Sequence, residues 1–156
     1  MPVRVLMVCL GNICRSPMAE AVFRHRVAEA GLSDEIVVDS AGTSSWHVGE
    51  NAHRGTRNVL RKHGIQYAGR ARQITPHDFA LFDYILAMDN SNFSDLKRML
   101  PDDSRAFVGR FIDFAEDAGI NEVPDPYYDG RFEEVYALVT QAADGLLAHI
   151  REEKGL

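Results

Sequence analysis

Val3-Arg-Val-Leu-Met-Val-Cys-Leu-Gly-Asn-Ile-Cys-Arg-Ser-Pro17 is the stretch whose reading decides the fold. Val3 to Val8 is short, mostly apolar and rich in β-branched residues, the pattern of a strand buried in a sheet. Ser16 and Pro17 then signal a helix start, with Ser as cap and Pro at the first helical position. Between them, Cys9 to Arg15 must turn the chain from strand to helix. Such a junction aims free backbone N–H groups and a positive helix end into one small space. Cys9 opens the turn and Arg15 closes it. A thiol in that field is expected to ionise, and a guanidinium beside it suits a dianion. The stretch reads as a phosphate-binding loop that carries its own nucleophile.

Outward from this loop, Met18 to Ala30 reads as a helix ended by Gly31, with Met18, Ala21, Val22 and Val27 inward and Glu20, Arg24, Arg26 and Glu29 outward. Glu35 to Asp39 is a second strand, and a loop of small residues from Ser40 to Gly49 follows it. Arg54 to His63 is a helix stopped by Gly64, and residues 65 to 74 read as extended or irregular. Thr75 and Pro76 start a short helix, Tyr84 to Met88 is a third strand, and a helix led by Asp89 runs to Leu100. Ala106 to Phe111 is a weaker fourth strand. The last helix is the clearest, with Phe132, Val135, Tyr136, Val139, Ala143, Leu146, Leu147 and Ile150 on one face. Strands alternating with helices predict a parallel α/β sheet layered on both sides. No repeat or linker divides residues 1–156, so one domain is expected. In such folds ligands sit at the carboxyl ends of the strands where strand order reverses, and the Cys9 loop lies at the carboxyl end of the first strand.

The composition is that of an ordinary globular protein, 46% hydrophobic and 26% charged. A net charge of −6 argues against a nucleic-acid or membrane-surface partner, while one positive loop can still hold an anionic substrate. The N-terminal apolar run is too short for a secretory segment and contains Arg4, and no stretch approaches a membrane span. The two cysteines are too close in sequence to staple distant parts of the fold, so a reducing cytoplasm is the expected compartment. The six histidines show no paired ligand spacing, so no metal and no other cofactor is assigned.

The residues themselves make a case for phosphoryl transfer. Loop amides, the helix N-terminus and Arg15 are expected to favour the Cys9 thiolate and to cradle the oxygens of a phosphoryl group during in-line attack. Arg15 offers two parallel donors that Lys cannot imitate. Ser16 has a hydroxyl to give to the thiolate as well as to the helix end. The departing oxygen needs a proton, and Asp125, held between Pro124 and Pro126, is the best candidate to supply it. Tyr127 and Tyr128 either wall a slot for an aromatic leaving group or are ordinary core and surface aromatics. Cys14 is either a packing thiol or a partner that traps oxidised Cys9 as a disulfide. A Walker-type site is disfavoured because no Gly-Lys-Ser/Thr follows the loop, and a thioredoxin-like dithiol because four residues separate Cys9 from Cys14.

Together, Val8 to Pro17, Asp39-Ser-Ala-Gly42, Ala71-Arg-Gln-Ile74, Phe82-Asp-Tyr-Ile-Leu86 and Asp125-Pro-Tyr-Tyr128 resemble the low-molecular-weight protein tyrosine phosphatases, in order and over nearly the whole chain. The resemblance implies a four-stranded parallel sheet with helices on both faces, the phosphate loop after the first strand, and a two-step mechanism without metal. It makes Cys9 the nucleophile, Arg15 the phosphate clamp, and Asp125 the general acid and then the base. Asn12 and Ser40 would hold the loop in shape, and Ser16 would steady the sulfur. Leu10, Gly11, Asn12, Ile13, Cys14 and Ser16 of the loop, with Trp46, Tyr127 and Tyr128, would contact substrate. Read without the resemblance, Asn12 is equally a left-handed turn residue, Ser40 a loop hydroxyl and Trp46 plain core. One departure matters. Where many members carry a His that braces the loop Asn, this chain has Gly69 with Arg70 beside it, implying a shorter or water-filled brace.

The expected activity is hydrolysis of phosphotyrosine in proteins and of small aryl phosphates, by a monomer or weak dimer. Protein arginine phosphatases share the loop but tend to have Thr where this chain has Ile13, and an apolar Ile13 favours a phenyl ring. Arsenate reductases of this build need cysteines downstream of Cys14, and there are none. A binding module with dead chemistry is disfavoured because Cys9, Arg15 and Asp125 are all present.

Overall fold

The computed structural model describes residues 1–116 and 118–156. Four strands, β1 (Val3–Cys9), β2 (Ile36–Gly42), β3 (Tyr84–Ala87) and β4 (Phe107–Arg110), form one sheet in the order β2-β1-β3-β4. All three pairings are parallel, with Met7 opposite Ser40 on one side and Leu86 on the other. Among the described residues five helices connect or follow the strands: α1 (Arg15–Glu29), α2 (Arg54–Lys62), α3 (Asp78–Leu81), α4 (Asn90–Met99) and α5 (Phe132–Lys154). One 3-10 turn, Phe111–Phe114, leaves β4. The chain steps from β1 outward to β2, then returns to lay β3 on the opposite side of β1. That reversal opens a crevice above the carboxyl end of β1.

Residues alternate between two cores, as strand pleating requires. Val5, Met7 and Cys9 of β1 and Leu86 of β3 join Met18, Phe23, Leu60, Val135, Val139 and Leu146 on the face covered by α1, α2 and α5. Leu6 and Val8 of β1 and Ile85 and Ala87 of β3 join Phe79 and Leu96 on the face covered by α3 and α4. Burial on both faces explains why β1 is continuously apolar from Val5 to Cys9, with Arg4 at its half-buried start. The α5 stripe is buried much as its spacing predicts, with Ala142 added and Tyr136 and Leu147 at its half-buried margin.

Several local readings shift. Helix α1 begins at Arg15, with Cys14 as its cap residue and no side-chain capping bond, so Ser16 does not cap and Pro17 is the third residue of the first turn. Pro17 is tolerated there because amides of the first turn have no intrahelical acceptor. Glu20 faces inward instead of to solvent, 5% exposed. Strand β2 runs on to Gly42, past the expected Asp39, because each residue through Gly42 pairs with β1. Thr75 donates its amide to Asp78 Oδ2 at 2.7 Å instead of capping α3. Residues 65 to 74 form only two isolated bridges, Asn51 with Arg70 and Gly42 with Gln73. Among the described residues no helix is long and apolar enough to cross a membrane.

Candidate active site

The loop from Cys9 to Arg15 turns its carbonyls outward. Cys9 O accepts from Thr43 N at 2.9 Å, Leu10 O from Ser44 N at 3.0 Å, and Ile13 O from His53 N at 2.7 Å. Cys14 O accepts from the buried hydroxyl of Thr56 at 3.0 Å. In a planar trans peptide the next N–H points the opposite way, so these outward anchors turn the amides of Leu10, Gly11, Cys14 and Arg15 inward. The loop packs tightly on the end of β2. A Cβ at Gly42 would lie 2.8 Å from Leu10 O and 3.2 Å from Asn12 N, a space only glycine leaves.

Asn12 is the hub of the turn. It is buried and sits at φ 58°, the left-handed region that asparagine tolerates better than most residues. Its amide N donates toward Cys9 Sγ at 3.3 Å. Its side-chain oxygen accepts from Arg72 N at 3.0 Å, and its Nδ2 donates to Ser16 Oγ at 2.8 Å and Ser40 Oγ at 2.9 Å. The hydroxyl of Ser16, freed from capping, lies 3.0 Å from Cys9 Sγ. Asn12 is thus both a turn residue and a brace, and Ser40 is more than a loop hydroxyl. The space beside Gly69 is not an open gap. The Tyr67 ring fills it, and the Tyr67 hydroxyl donates to Glu20 Oε1 at 2.8 Å.

Arg15 is 3% exposed and held from three sides. Nη1 donates to Asp89 Oδ2 at 2.7 Å and to Val123 O at 3.0 Å, and Nη2 is 3.6 Å from Asp125 Oδ2. Burial works against its charge, yet Cys9, Asp89 and Asp125 more than offset that and raise its pKa. Asp125 is exposed at the mouth, its Oδ1 accepting the Tyr127 amide at 3.1 Å. The Cys14 thiol is pushed up to about 12 by burial, then by the charges of Cys9 and Asp125, against the pull of Arg15. Both cysteines are free.

Cys9 forms the floor of a slot of about 300 Å³. Leu10, Gly11, Ile13, Cys14, Arg15, Trp46, Asp125, Tyr127 and Tyr128 line it, whereas Asn12, Ser16 and Ser40 stand behind the loop, out of the slot. Trp46 is 73% exposed and Tyr128 90% exposed, so neither is core; they are the upper walls. Tyr127 packs edge-on to His53 at 5.6 Å and to Tyr128 at 4.8 Å. Among the described residues no group of three His, Cys, Asp or Glu side chains is placed to hold a metal ion.

Several residues of the site carry no motif. Asp89 could have been found from topology, since β3 neighbours β1 and a cap residue at its end must face the loop. His47 lines the slot, and His53, the cap of α2, and Thr56 in its first turn anchor the loop, positions that follow only from the three-dimensional path of residues 43 to 56. Glu20 escapes a sequence reading because a charged residue inside a helix normally points outward, and Tyr67 because it reaches Glu20 from a segment 47 residues away. Inward amides and a fixed guanidinium can hold a tetrahedral oxyanion above the thiol, with a carboxyl at the entrance and apolar walls around it.

Residues 4–156 match the family model described as low molecular weight phosphotyrosine protein phosphatase. The chain is 48% identical over 155 residues to the low molecular weight protein-tyrosine-phosphatase YfkJ of Bacillus subtilis, covering 99% of each. The crystal structure of YfkJ superposes with a TM-score of 0.94, at 47% identity, covering 99% of this chain and 98% of that one. A Drosophila protein whose structure is described as an arginine phosphatase superposes with a TM-score of 0.89, at 35% identity and over 94% and 97% of the two chains. With its fold, its thiol-floored loop and its near full-length match in agreement, the chain belongs to the low molecular weight phosphotyrosine protein phosphatase family.

Proposed function

We propose that this protein hydrolyses phosphotyrosine in proteins, and small aryl phosphates, through a phosphocysteine intermediate. The observation that carries the reading is the convergence of Cys9, Arg15 and Asp125 on one slot whose floor is the thiol and whose loop amides point inward. In the first step Cys9 Sγ attacks phosphorus in line. The P–O bond to the phenol breaks, and Asp125 gives its proton to the departing oxygen. In the second step Asp125, now a carboxylate, takes a proton from water as that water attacks phosphorus. The P–S bond breaks, Cys9 leaves as thiolate and inorganic phosphate departs. Arg15 and the loop amides hold the equatorial oxygens through both steps, where charge is greatest in the transition state. Ile13, Trp46 and Tyr127 present apolar surface to the leaving group, which suits a phenyl ring better than a guanidinium.

The deciding measurement is a panel of phosphotyrosine, phosphoserine and phosphoarginine peptides assayed with chelator present. Fastest turnover of the phosphotyrosine peptide, unchanged by chelator, is expected. Faster turnover of phosphoarginine would reverse the assignment in favour of the activity after which the Drosophila relative is named.

We further infer that Cys14 protects the nucleophile from peroxide. Oxidation of the Cys9 thiolate by hydrogen peroxide gives a sulfenic acid and hydroxide. Attack by Cys14 sulfur then forms the disulfide and releases water. Part of what raises the Cys14 pKa is the negative charge of Cys9, and that part vanishes once Cys9 is a neutral sulfenic acid. Two free thiols used in this way suit a reducing, cytoplasmic compartment.

A further inference from the structure

We propose that Tyr67 is a positioning residue of the phosphate loop, acting through Glu20, Ser40, Asn12 and Ser16 to make the Ser16 hydroxyl a donor to Cys9. The inference rests on the reading of Cys9 as the reactive thiolate. A count of hydrogens leads to it. The side-chain oxygen of Asn12 accepts from Arg72 N, a group that can only donate, so Nδ2 must face the two hydroxyls. Its two hydrogens go to Ser16 Oγ at 2.8 Å and Ser40 Oγ at 2.9 Å, so both hydroxyls act as acceptors toward Asn12. The single hydrogen of Ser40 goes to Glu20 Oε1 at 2.5 Å. Among the described residues the hydrogen of Ser16 has one partner within reach, Cys9 Sγ at 3.0 Å. Every donor in the chain is thereby assigned, and the last points at the sulfur.

Glu20 is the anchor of this relay, and two neighbours compete for it. Oε2 pairs with Arg24, a half-exposed guanidinium that also donates to Val38 O at 2.9 Å on the surface. Oε1 is drawn inward by Ser40 and by Tyr67, whose hydroxyl donates at 2.8 Å. Burial, and the Glu20 charge after it, push the Tyr67 phenol well above its ordinary value, so it remains a donor at any working pH. Without that hydroxyl, Ser40 alone opposes Arg24, and Glu20 is free to follow the guanidinium outward. Ser40 then loses the acceptor for its hydrogen, and the orientation of Asn12 and Ser16 loosens. Gly69 is the complement of this arrangement, because a Cβ there would overlap the Tyr67 hydroxyl.

The test is Tyr67→Phe, which keeps the ring and deletes the donor. With p-nitrophenyl phosphate, kcat is expected to fall about threefold to tenfold, the effect of one lost hydrogen bond on a transition state, while KM changes little. Alkylation of Cys9 by iodoacetamide at mildly acid pH is expected to slow by a similar factor; Cys14, held protonated by burial, does not compete. Adding Tyr67→Phe to Ser16→Ala is expected to cause no further loss, since the relay acts only through that hydroxyl. Gly69→Ala, which displaces the phenol by a second route, is expected to reproduce both effects and decides the matter if Tyr67→Phe does not fold. Parental kcat and alkylation in a folded variant, or losses additive with Ser16→Ala, would overturn the proposal. A parent that alkylates at Cys9 but hydrolyses no aryl phosphate would overturn the proposed function instead, and the alkylation arm would still judge the relay.

Discussion

Arg15 and Asp89 meet through one hydrogen bond of 2.7 Å, Nη1 to Oδ2, which ties the helix after β1 to the cap of the helix after β3. The same carboxylate accepts Asn92 N at 2.7 Å through its other oxygen. It therefore caps α4 and aims the guanidinium with one side chain. Asp89→Asn keeps a good cap and removes the charge. It is expected to lower kcat/KM by about tenfold to hundredfold, the range for a charge-assisted hydrogen bond, with little change in melting temperature. Asp89→Ala is expected to lose the same activity and, in addition, about 1 kcal/mol of stability with the cap. Steady-state kinetics beside denaturant unfolding separates the two roles. An Asp89→Asn enzyme with parental kcat/KM would remove Asp89 from the site.

Asp125 lies at the mouth, 3.6 Å from Arg15, on a segment flanked by Pro124 and Pro126. As a proton donor to the leaving oxygen it matters most when that oxygen is strongly basic. Asp125→Asn is expected to slow aryl phosphates in proportion to the pKa of the phenol, least for p-nitrophenol and most for unsubstituted phenol. A series of substituted phenyl phosphates measures this directly. Equal slowing across the series would take the acid role from Asp125.

The thiol-floored end of the slot was legible because it is compressed into a few neighbouring residues. A β-branched run, a thiol, an arginine and a proline inside fifteen positions leave little choice of geometry, and β1, the loop and α1 follow from them. The alternation of strands and helices also sufficed for a parallel sheet. What escaped was the support behind the loop. Asp89, Thr56, Arg72, Glu20 and Tyr67 act through contacts between segments far apart in sequence, which no spacing records. Ser16 resembles a cap in the sequence for a related reason. A serine at a helix start has two uses for its oxygen, and only the position of Asn12 shows which one it serves.

Cys14 lines the slot beside Cys9, so its role as a redox partner is open to direct trial. Peroxide treatment of the parent is expected to give an inactive enzyme with no free thiols, two having been lost per chain, and dithiothreitol is expected to restore activity. In Cys14→Ser the sulfenic acid has no resolving thiol and proceeds to sulfinic acid, which dithiothreitol does not reduce. Recovery after peroxide is therefore expected to fall well below that of the parent. Equal recovery would leave Cys14 as a packing residue alone.

Asp78 gives the acid limb of stability a specific source. Its carboxylate is buried under a bidentate Arg72 fork at 3.0 and 3.1 Å and accepts Thr75 N at 2.7 Å. Burial alone would raise its pKa, but Arg72 and Thr75 more than reverse this, and the folded value lies below the ordinary one. Because the folded pKa is depressed, the unfolded chain binds the proton first as pH falls. The stability due to this carboxylate is whole above the unfolded value of about 4 and drains away as pH drops through the folded value. Asp78→Asn, which cannot titrate, is expected to be less stable than the parent at neutral pH and to lose less on acidification, so the two curves converge as pH drops through the folded value. Urea unfolding at a series of pH values measures both slopes. Parallel curves would assign the acid sensitivity to other carboxylates and leave the Arg72 fork without a share in it.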